Sequence, residues 1–214
     1  MNWEKDRINF YNKIYEKPNN HWRRQLFYKF DHYFTELIHG NCQKNYENML
    51  EVGSDGRFFE TFTKNNNLDL NISVIDISQT AINMIKKKFP TINSYCEDFF
   101  TFAEKKINQN QAYDIIYSNG TFEHFREIEK SLLLSKELLS DTGFFLMAVP
   151  NNLGYEINKN DQSEGFKELN GGSRQTEWHL FLGSWIKIIQ NVGFKYHFFR
   201  GFDERIGFIF FLYK

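Results

Sequence analysis

Between residues 48 and 150, short apolar runs alternate with helix-patterned segments, and few folds accommodate that order. The spacing predicts strands over 49–53, 72–76, 92–95, 113–117 and 143–149. Helices are expected over 58–62, 79–88, 99–106 and 128–139. Ala81, Ile82 and Ile85 share one side of the second helix, and Leu132, Leu133, Leu138 and Leu139 supply the apolar positions of the last. The strand-like runs are short and mostly apolar, as buried strands read when both faces of a sheet are covered. Antiparallel neighbours need only tight turns, whereas parallel ones need crossovers of helix length. The expected core is therefore a parallel sheet with helices on both faces, an α/β Rossmann-like arrangement.

The flanking segments read differently. Residues 6–39 carry helical periodicity through Ile8, Tyr11, Tyr15, Leu26, Phe27, Phe30, Phe34, Leu37 and Ile38, broken at Pro18-Asn19-Asn20. Two or three helices are expected there. After Pro150 a polar stretch runs over 151–177 and includes Asn170-Gly171-Gly172-Ser173. Connections of that length are usually functional lids or disordered segments. A helix follows over 182–191 and stops at Val192-Gly193, a C-cap signal. Two apolar segments, 196–199 and 206–213, lie too close for a helical crossover and should pair antiparallel. One domain of 214 residues is expected: an N-terminal helical cap (1–47), a cofactor-binding core (48–150), a substrate loop (151–177), and a closing helix with antiparallel strands (178–214).

Charge and cysteine usage narrow the function. A net charge of −1 and a pI near 6.6 lack the basic stripe of a nucleic-acid binder. Lys86-Lys87-Lys88 sits where a helix C-terminus favours cations. Cys42 and Cys96 stand far apart without a CxxC pattern, so neither a disulfide framework nor a structural zinc site is expected. No His/Asp/Glu pair has convincing metal-ligand spacing, so no metal is expected. The segment Met1-Asn2-Trp3-Glu4-Lys5-Asp6 lacks the apolar region of a signal peptide, and no apolar run is long enough to span a bilayer. A cytoplasmic protein acting on a small molecule, without membrane or nucleic-acid partners, is the resulting expectation.

Four places carry chemistry. Glu51-Val52-Gly53-Ser54-Asp55-Gly56-Arg57 takes a strand through a glycine-bearing turn into a helix. Such a turn lets backbone approach a ligand while the helix offers free N–H groups, although an ordinary strand-to-helix turn has the same texture. Asp76 ends the second strand, where a carboxylate can accept both hydroxyls of a ribose or simply cap the next helix. Cys96-Glu97-Asp98-Phe99 follows the third strand, offering polar groups to an adenine amine and a ring to its face, with a helix cap at Asp98 as the alternative. The fourth place is Tyr117-Ser118-Asn119-Gly120-Thr121-Phe122-Glu123-His124-Phe125, after the fourth strand, at the end of the sheet where open α/β folds bind ligands. His124 is the first candidate for acid–base work, though a lone His is more often structural.

In that order Glu51-x-Gly53, Asp76, Glu97-Asp98 and Phe122-Glu123-His124 resemble the class I S-adenosylmethionine-dependent methyltransferases. The resemblance is nearest to the branch that holds the ubiquinone-biosynthesis and many small-molecule and sugar methyltransferases. Trp178-His179-Leu180-Phe181 and Asn191-Val192-Gly193-Phe194 match later segments of that branch, so the resemblance runs from about residue 48 onward. It implies a seven-stranded, mostly parallel sheet with an antiparallel last strand. It also implies S-adenosylmethionine as cofactor and S-adenosylhomocysteine as product. Glu51, Gly53, Ser54 and Gly56 would line the methionine side; Asp76 would hold the ribose with Ile77 against the adenine; Glu97, Asp98 and Phe99 would surround the base; Ser118 or Asn119 would touch the methionine end. Asp55 and Arg57 stand where the family commonly has glycine.

The sulfonium methyl is already activated, so alignment supplies most of the catalysis, and an oxygen nucleophile also benefits from a base. His124 is the first candidate, His179 the second and Glu123 the third. Tyr11, Tyr15 and Trp22 are candidate acceptor-pocket residues, with core packing as the alternative for each. Ser118-Asn119-Gly120-Thr121 is not the Asn-Pro-Pro-aromatic motif of methyltransferases acting on planar amino groups. A hydroxyl of a sugar or nucleotide-linked sugar is the preferred acceptor, with a small amine next. A nicotinamide-dependent oxidoreductase lacks its G-x-G-x-x-G turn here, and a non-catalytic binding protein of this fold would be marked by Asp55 and Arg57.

Overall fold

The computed structural model describes residues 3–16, 21–42, 45–54, 56–62, 69–150, 180–200 and 207–214. Two helices, α1 (Trp3–Glu16) and α2 (His21–Asn41), precede the sheet. The core then runs β1 (Asn48–Val52), α3 (Arg57–Phe62), β2 (Asn71–Asp76), α4 (Gln79–Lys88), β3 (Asn93–Cys96), α5 (Phe99–Asn108) and β4 (Tyr113–Asn119). A 3-10 turn (Phe122–His124), α6 (Ile128–Leu138) and β5 (Leu139–Pro150) follow. Among the described residues the chain closes with α7 (Leu182–Val192), β6 (Lys195–Arg200) and β7 (Gly207–Tyr213).

The seven strands form one sheet in the order β3-β2-β1-β4-β5-β7-β6. Neighbours from β3 through β5 pair in parallel, and β7 runs antiparallel to both β5 and β6. This is the Rossmann-like sheet expected from the alternation, with its antiparallel closing strand. The chain winds outward from β1 to β3, then returns to the centre to begin β4. That reversal leaves the carboxyl ends of β1 and β4 side by side, where open sheets of this kind form a crevice.

Each strand divides its side chains between two cores, as the two-residue period requires. Leu50 and Val52 pack into one layer with Ile116, Phe102, Leu132 and Trp185. Met49 turns the other way, into a layer with Val74, Ile115, Phe34, Phe58 and Ile82. Glu51 and Tyr117 are register partners on β1 and β4. Tyr117 lies in the second layer, which places a carboxylate and a phenol among aliphatic and aromatic groups.

Helix ends are fixed by short polar side chains. Ser78 Oγ accepts from Ala81 N at 3.2 Å and begins α4; Asp98 Oδ1 accepts from Phe100 N at 2.9 Å and Thr101 N at 3.3 Å and begins α5. Gly193, at φ 79°, ends α7 in the left-handed conformation, and Lys136 Nζ donates to the Val192 and Gly193 carbonyls at 3.1 and 2.7 Å. The last turn of α6 ends one residue sooner than its leucines suggest, and β5 begins at once at Leu139, which pairs with Tyr113. A Cβ at Gly143 would lie 2.8 Å from the Asp114 carbonyl, so the glycine lets β5 pass close to the irregular start of β4.

At the amino end of the sheet, one carboxylate joins three strands. Asp114 Oδ2 accepts from Glu47 N at 2.9 Å and Asn48 N at 3.1 Å, and its Oδ1 accepts from Ser140 Oγ at 2.7 Å. Charge-assisted bonds of this kind contribute more than neutral ones. Asp114→Ala is expected to lower unfolding free energy by about 2–3 kcal/mol, measured by urea denaturation. A loss under about 0.5 kcal/mol would remove the clamp from this account.

Candidate active site at the carboxyl end of the sheet

The turn after β1 is built around close approach. Gly53 has φ 74°, and its N–H donates to Ile75 O at 2.8 Å. Any side chain there would be strained by the backbone, and its Cβ would lie 2.0 Å from Thr121 Oγ1. Gly56 has φ 80°, and a Cβ on it would sit 3.3 Å from Ile85 Cγ1 of α4. The first glycine thus lets the β1 turn meet the β4 turn, and the second lets α3 start against α4. Asp55 lies outside the described residues, and Arg57 is the first residue of α3.

Asp76 ties this turn to the next one. Its Oδ2 accepts from Ser54 N at 3.1 Å and its Oδ1 from Ser78 N at 2.7 Å. The carboxylate is half-buried at the carboxyl end of β2, with Ile77, also half-buried, just beyond it. Ser54 is buried, and its Oγ accepts from Gly56 N at 3.0 Å, which closes the turn on itself.

The residues after β3 divide into two kinds. Glu97 is half-buried, takes its N–H to Asp76 O at 3.2 Å, and pairs with Lys105 Nζ at 3.6 Å. Asp98 is the cap of α5. Phe99 is buried, with ring neighbours Phe122 at 5.9 Å and Phe125 at 5.3 Å, so its ring is part of the wall behind the crevice. Ser118 is buried and donates to Val52 O at 2.9 Å, stitching the ends of β1 and β4. Asn119 is half-buried at the last position of β4.

The turn that follows carries the acid–base candidates. Gly120, at φ 71°, donates its N–H to Ala148 O at 3.0 Å, and His124 N donates to Thr121 O at 2.9 Å. His124 and Glu123 are both buried, with Nε2 and Oε1 3.7 Å apart. The edge of Tyr11 meets the His124 ring at a centroid distance of 5.4 Å and 83° between planes. Helix α1 is fixed to the opposite rim by Asn12, whose Oδ1 accepts from Ser78 Oγ at 2.6 Å and Thr80 N at 3.4 Å. One helix therefore touches both the β2 and the β4 rims of the crevice. Tyr15 is half-buried on the same helix; the side chain of Trp22 and all of His179 lie outside the described residues.

Asn12 and Asp31 meet these residues without a signal in the sequence that marks them. Tyr117 OH donates to Asp31 Oδ1 at 3.2 Å, and its ring stacks on Phe58 with centroids 4.2 Å apart. Burial, then the charges of Asp31 and Glu51, push the phenol well above its ordinary range, so it stays a neutral donor. Asp31 comes from the second of the N-terminal helices, whose place over the sheet no local pattern reveals.

Residues 50–145 match the family model described as a methyltransferase domain. No curated protein matches the sequence. Among solved structures, the chain is similar to the plantazolicin methyltransferase BpumL in complex with a monoazolic desmethylPZN analog and SAH. The identity is 17% and the TM-score 0.70, over 99% of this chain and 90% of that one. It is similar to a TehB-like SAM-dependent methyltransferase from Corynebacterium glutamicum at 14% identity and TM-score 0.59, over 84% of this chain and 86% of that one. The citrinin polyketide synthase CMeT domain aligns at 14% identity and TM-score 0.63, over 85% of this chain and 50% of that one.

The Gly53–Thr121 approach is open to a double-mutant cycle. Gly53→Ala is expected to cost about 2–4 kcal/mol of stability in urea denaturation. Adding Thr121→Gly should return about 1 kcal/mol or more of that loss, because it removes the collision and leaves only the backbone strain. Strict additivity would mean that the two residues do not meet.

Proposed function

We propose, from the premise that this chain is a class I S-adenosylmethionine-dependent methyltransferase, that it methylates a small-molecule acceptor held beside His124. A hydroxyl of a sugar or nucleotide-linked sugar is the acceptor this reading favours. The observation that carries it is the buried Glu123–His124 pair on the turn directly after β4, at the same end of the sheet as Gly53 and Asp76. A hydroxyl needs a base at the moment it attacks, and a histidine held by a carboxylate is suited to take that proton.

The residues present fit the cofactor. Gly53, at φ 74°, lets the backbone turn at the carboxyl end of β1, where the Ser54 N–H meets Asp76. Asp76 is half-buried at the end of β2, with Ile77 next to it as apolar cover for a base. When bound, the cofactor supplies a methyl group already activated on a sulfonium. The protein's share is then alignment and desolvation: the two rims fix where the nucleophile sits, and α1, held through Tyr11 and Asn12, excludes water from above. His124 takes the hydroxyl proton, and Glu123 stabilises the imidazolium that results.

A second reading, an amine acceptor, is favoured by the acid groups near the site. Asp31 and Glu51 are both buried on the Tyr117 face and would attract an ammonium before it loses its proton. Such an acceptor would depend on Asp31 and much less on His124.

Two outcomes test the proposal. Asp76→Ala should weaken S-adenosylhomocysteine binding by about tenfold or more in calorimetry, since a paired set of charge-assisted bonds is lost. His124→Ala should cut turnover with a hydroxyl acceptor by about 10²–10⁴-fold and leave that binding constant within about threefold. Full turnover in His124→Ala would move the assignment to the amine reading.

A further inference from the structure

Helix α1 meets the carboxyl end of the sheet at two places, through neighbouring residues. At the β2 rim, Asn12 Oδ1 accepts from Ser78 Oγ at 2.6 Å and from Thr80 N at 3.4 Å. On the turn after β4, the Tyr11 and His124 rings meet with centroids 5.4 Å apart. Consecutive residues of a helix point about 100° apart, so a single turn reaches both rims. In the sheet β1 lies between β2 and β4. A helix that touches the loops on both sides spans the β1 turn between them.

Among the described residues, neither core layer includes an α1 side chain, whereas α2 places Phe34 and Ile38 in one of them. Elements with few buried apolar contacts lie at the low end of a protein's local stabilities and open most readily. The α4 end of the contact survives without α1. Ser78 Oγ still caps the helix by accepting from Ala81 N at 3.2 Å, and the Thr80 N–H, one of the unpaired donors of a first turn, turns to water. Ser78 also joins α1 to the crevice: its hydroxyl donates to Asn12, and its N–H donates to Asp76 Oδ1 at 2.7 Å.

We propose that α1 is a hinged cover over the crevice with Asn12 as its latch, and that release of Asn12 from Ser78 and Thr80 sets the rate at which cofactor and product are exchanged. This rests on the methyltransferase reading of the site and goes beyond it. The latch bonds involve no ligand atom, so they slow entry and exit alike and leave affinity nearly unchanged.

The test uses the full chain, with S-adenosylhomocysteine as probe and stopped-flow tryptophan fluorescence as readout. Asn12→Ala removes the acceptor, whereas Asn12→Asp keeps one on a side chain of the same length. The proposal expects Asn12→Ala to raise both the association and the dissociation rate constants about three- to tenfold, with Kd within about threefold of the parent. Asn12→Asp should return both rates toward the parent. Hydrogen exchange at the α1 amides of the ligand-free chain should quicken by a similar factor in Asn12→Ala, with β1 and β4 unchanged. Unaltered rate constants overturn the proposal, as does unaltered α1 exchange. A rise in dissociation alone also overturns it, since Asn12 would then support only the bound state. A parent chain that binds no S-adenosylhomocysteine overturns the cofactor reading and the gate with it, whereas binding with unaltered rates in Asn12→Ala overturns the gate alone. Thermal unfolding of each variant, compared with the parent, separates a change in exchange from misfolding.

Discussion

The site depends on how closely the carboxyl ends of β1 and β4 approach each other. Parallel strands adjacent in space but separated by three crossovers leave a gap at their ends, and the loops that leave them must share it. Here they share it by contact: Gly53 gives up its side chain and Thr121 takes the space. Ser118 closes the same seam one layer down by bonding Val52 O. With a larger residue at 53 the two turns would have to part, and both His124 and the Asp76–Ser54 link would move with them. The sheet order fixes where the crevice lies, and this one contact fixes how wide it is.

Around that seam the polar groups are arranged in a hierarchy. Asp76 accepts from two backbone amides, which holds the β1 and β2 turns at a set distance. Asp98 Oδ1 begins α5, and the Phe99 ring packs in the core with Phe122 and Phe125. Glu123 and His124 lie on the turn after β4, where His124 meets Tyr11, and Asn12 ties α1 to the β2 side. The amino end of the sheet is organised separately, by Asp114, so stability and function occupy opposite ends of the same strands.

The architecture was legible because it is written in local patterns. Each strand of the parallel core is a short apolar run, and Ser78, Asp98 and Gly193 cap helices where their residue types suggest. Only the edges moved: β4 continues through Ser118 and Asn119, whose polarity hides that they still pair with β5, and β5 starts at Leu139 rather than after Gly143. That Glu51, Gly53, Asp76 and His124 lie at or just after strand ends could be read from motif order. The contacts of Asn12 and Asp31 could not, nor the approach of Thr121 to Gly53. Their contacts span 66, 86 and 68 positions, from Asn12 to Ser78, Asp31 to Tyr117 and Thr121 back to Gly53 (121 − 53 = 68), and no periodicity encodes pairings of that range. Phe99, just after β3, is buried with Phe122 and Phe125 as ring neighbours, contacts that span more than twenty positions and that no local pattern encodes.

The central claim is that the β1–β4 seam binds S-adenosylmethionine, and an amide NMR titration with S-adenosylhomocysteine tests it most directly. The account predicts saturable shifts at Gly53, Ser54, Ile77 and Gly120, with Glu47 and Asn48 at the far end of β1 unmoved and no comparable response to NADH. Shifts elsewhere in the molecule, or none at saturating ligand, would contradict it.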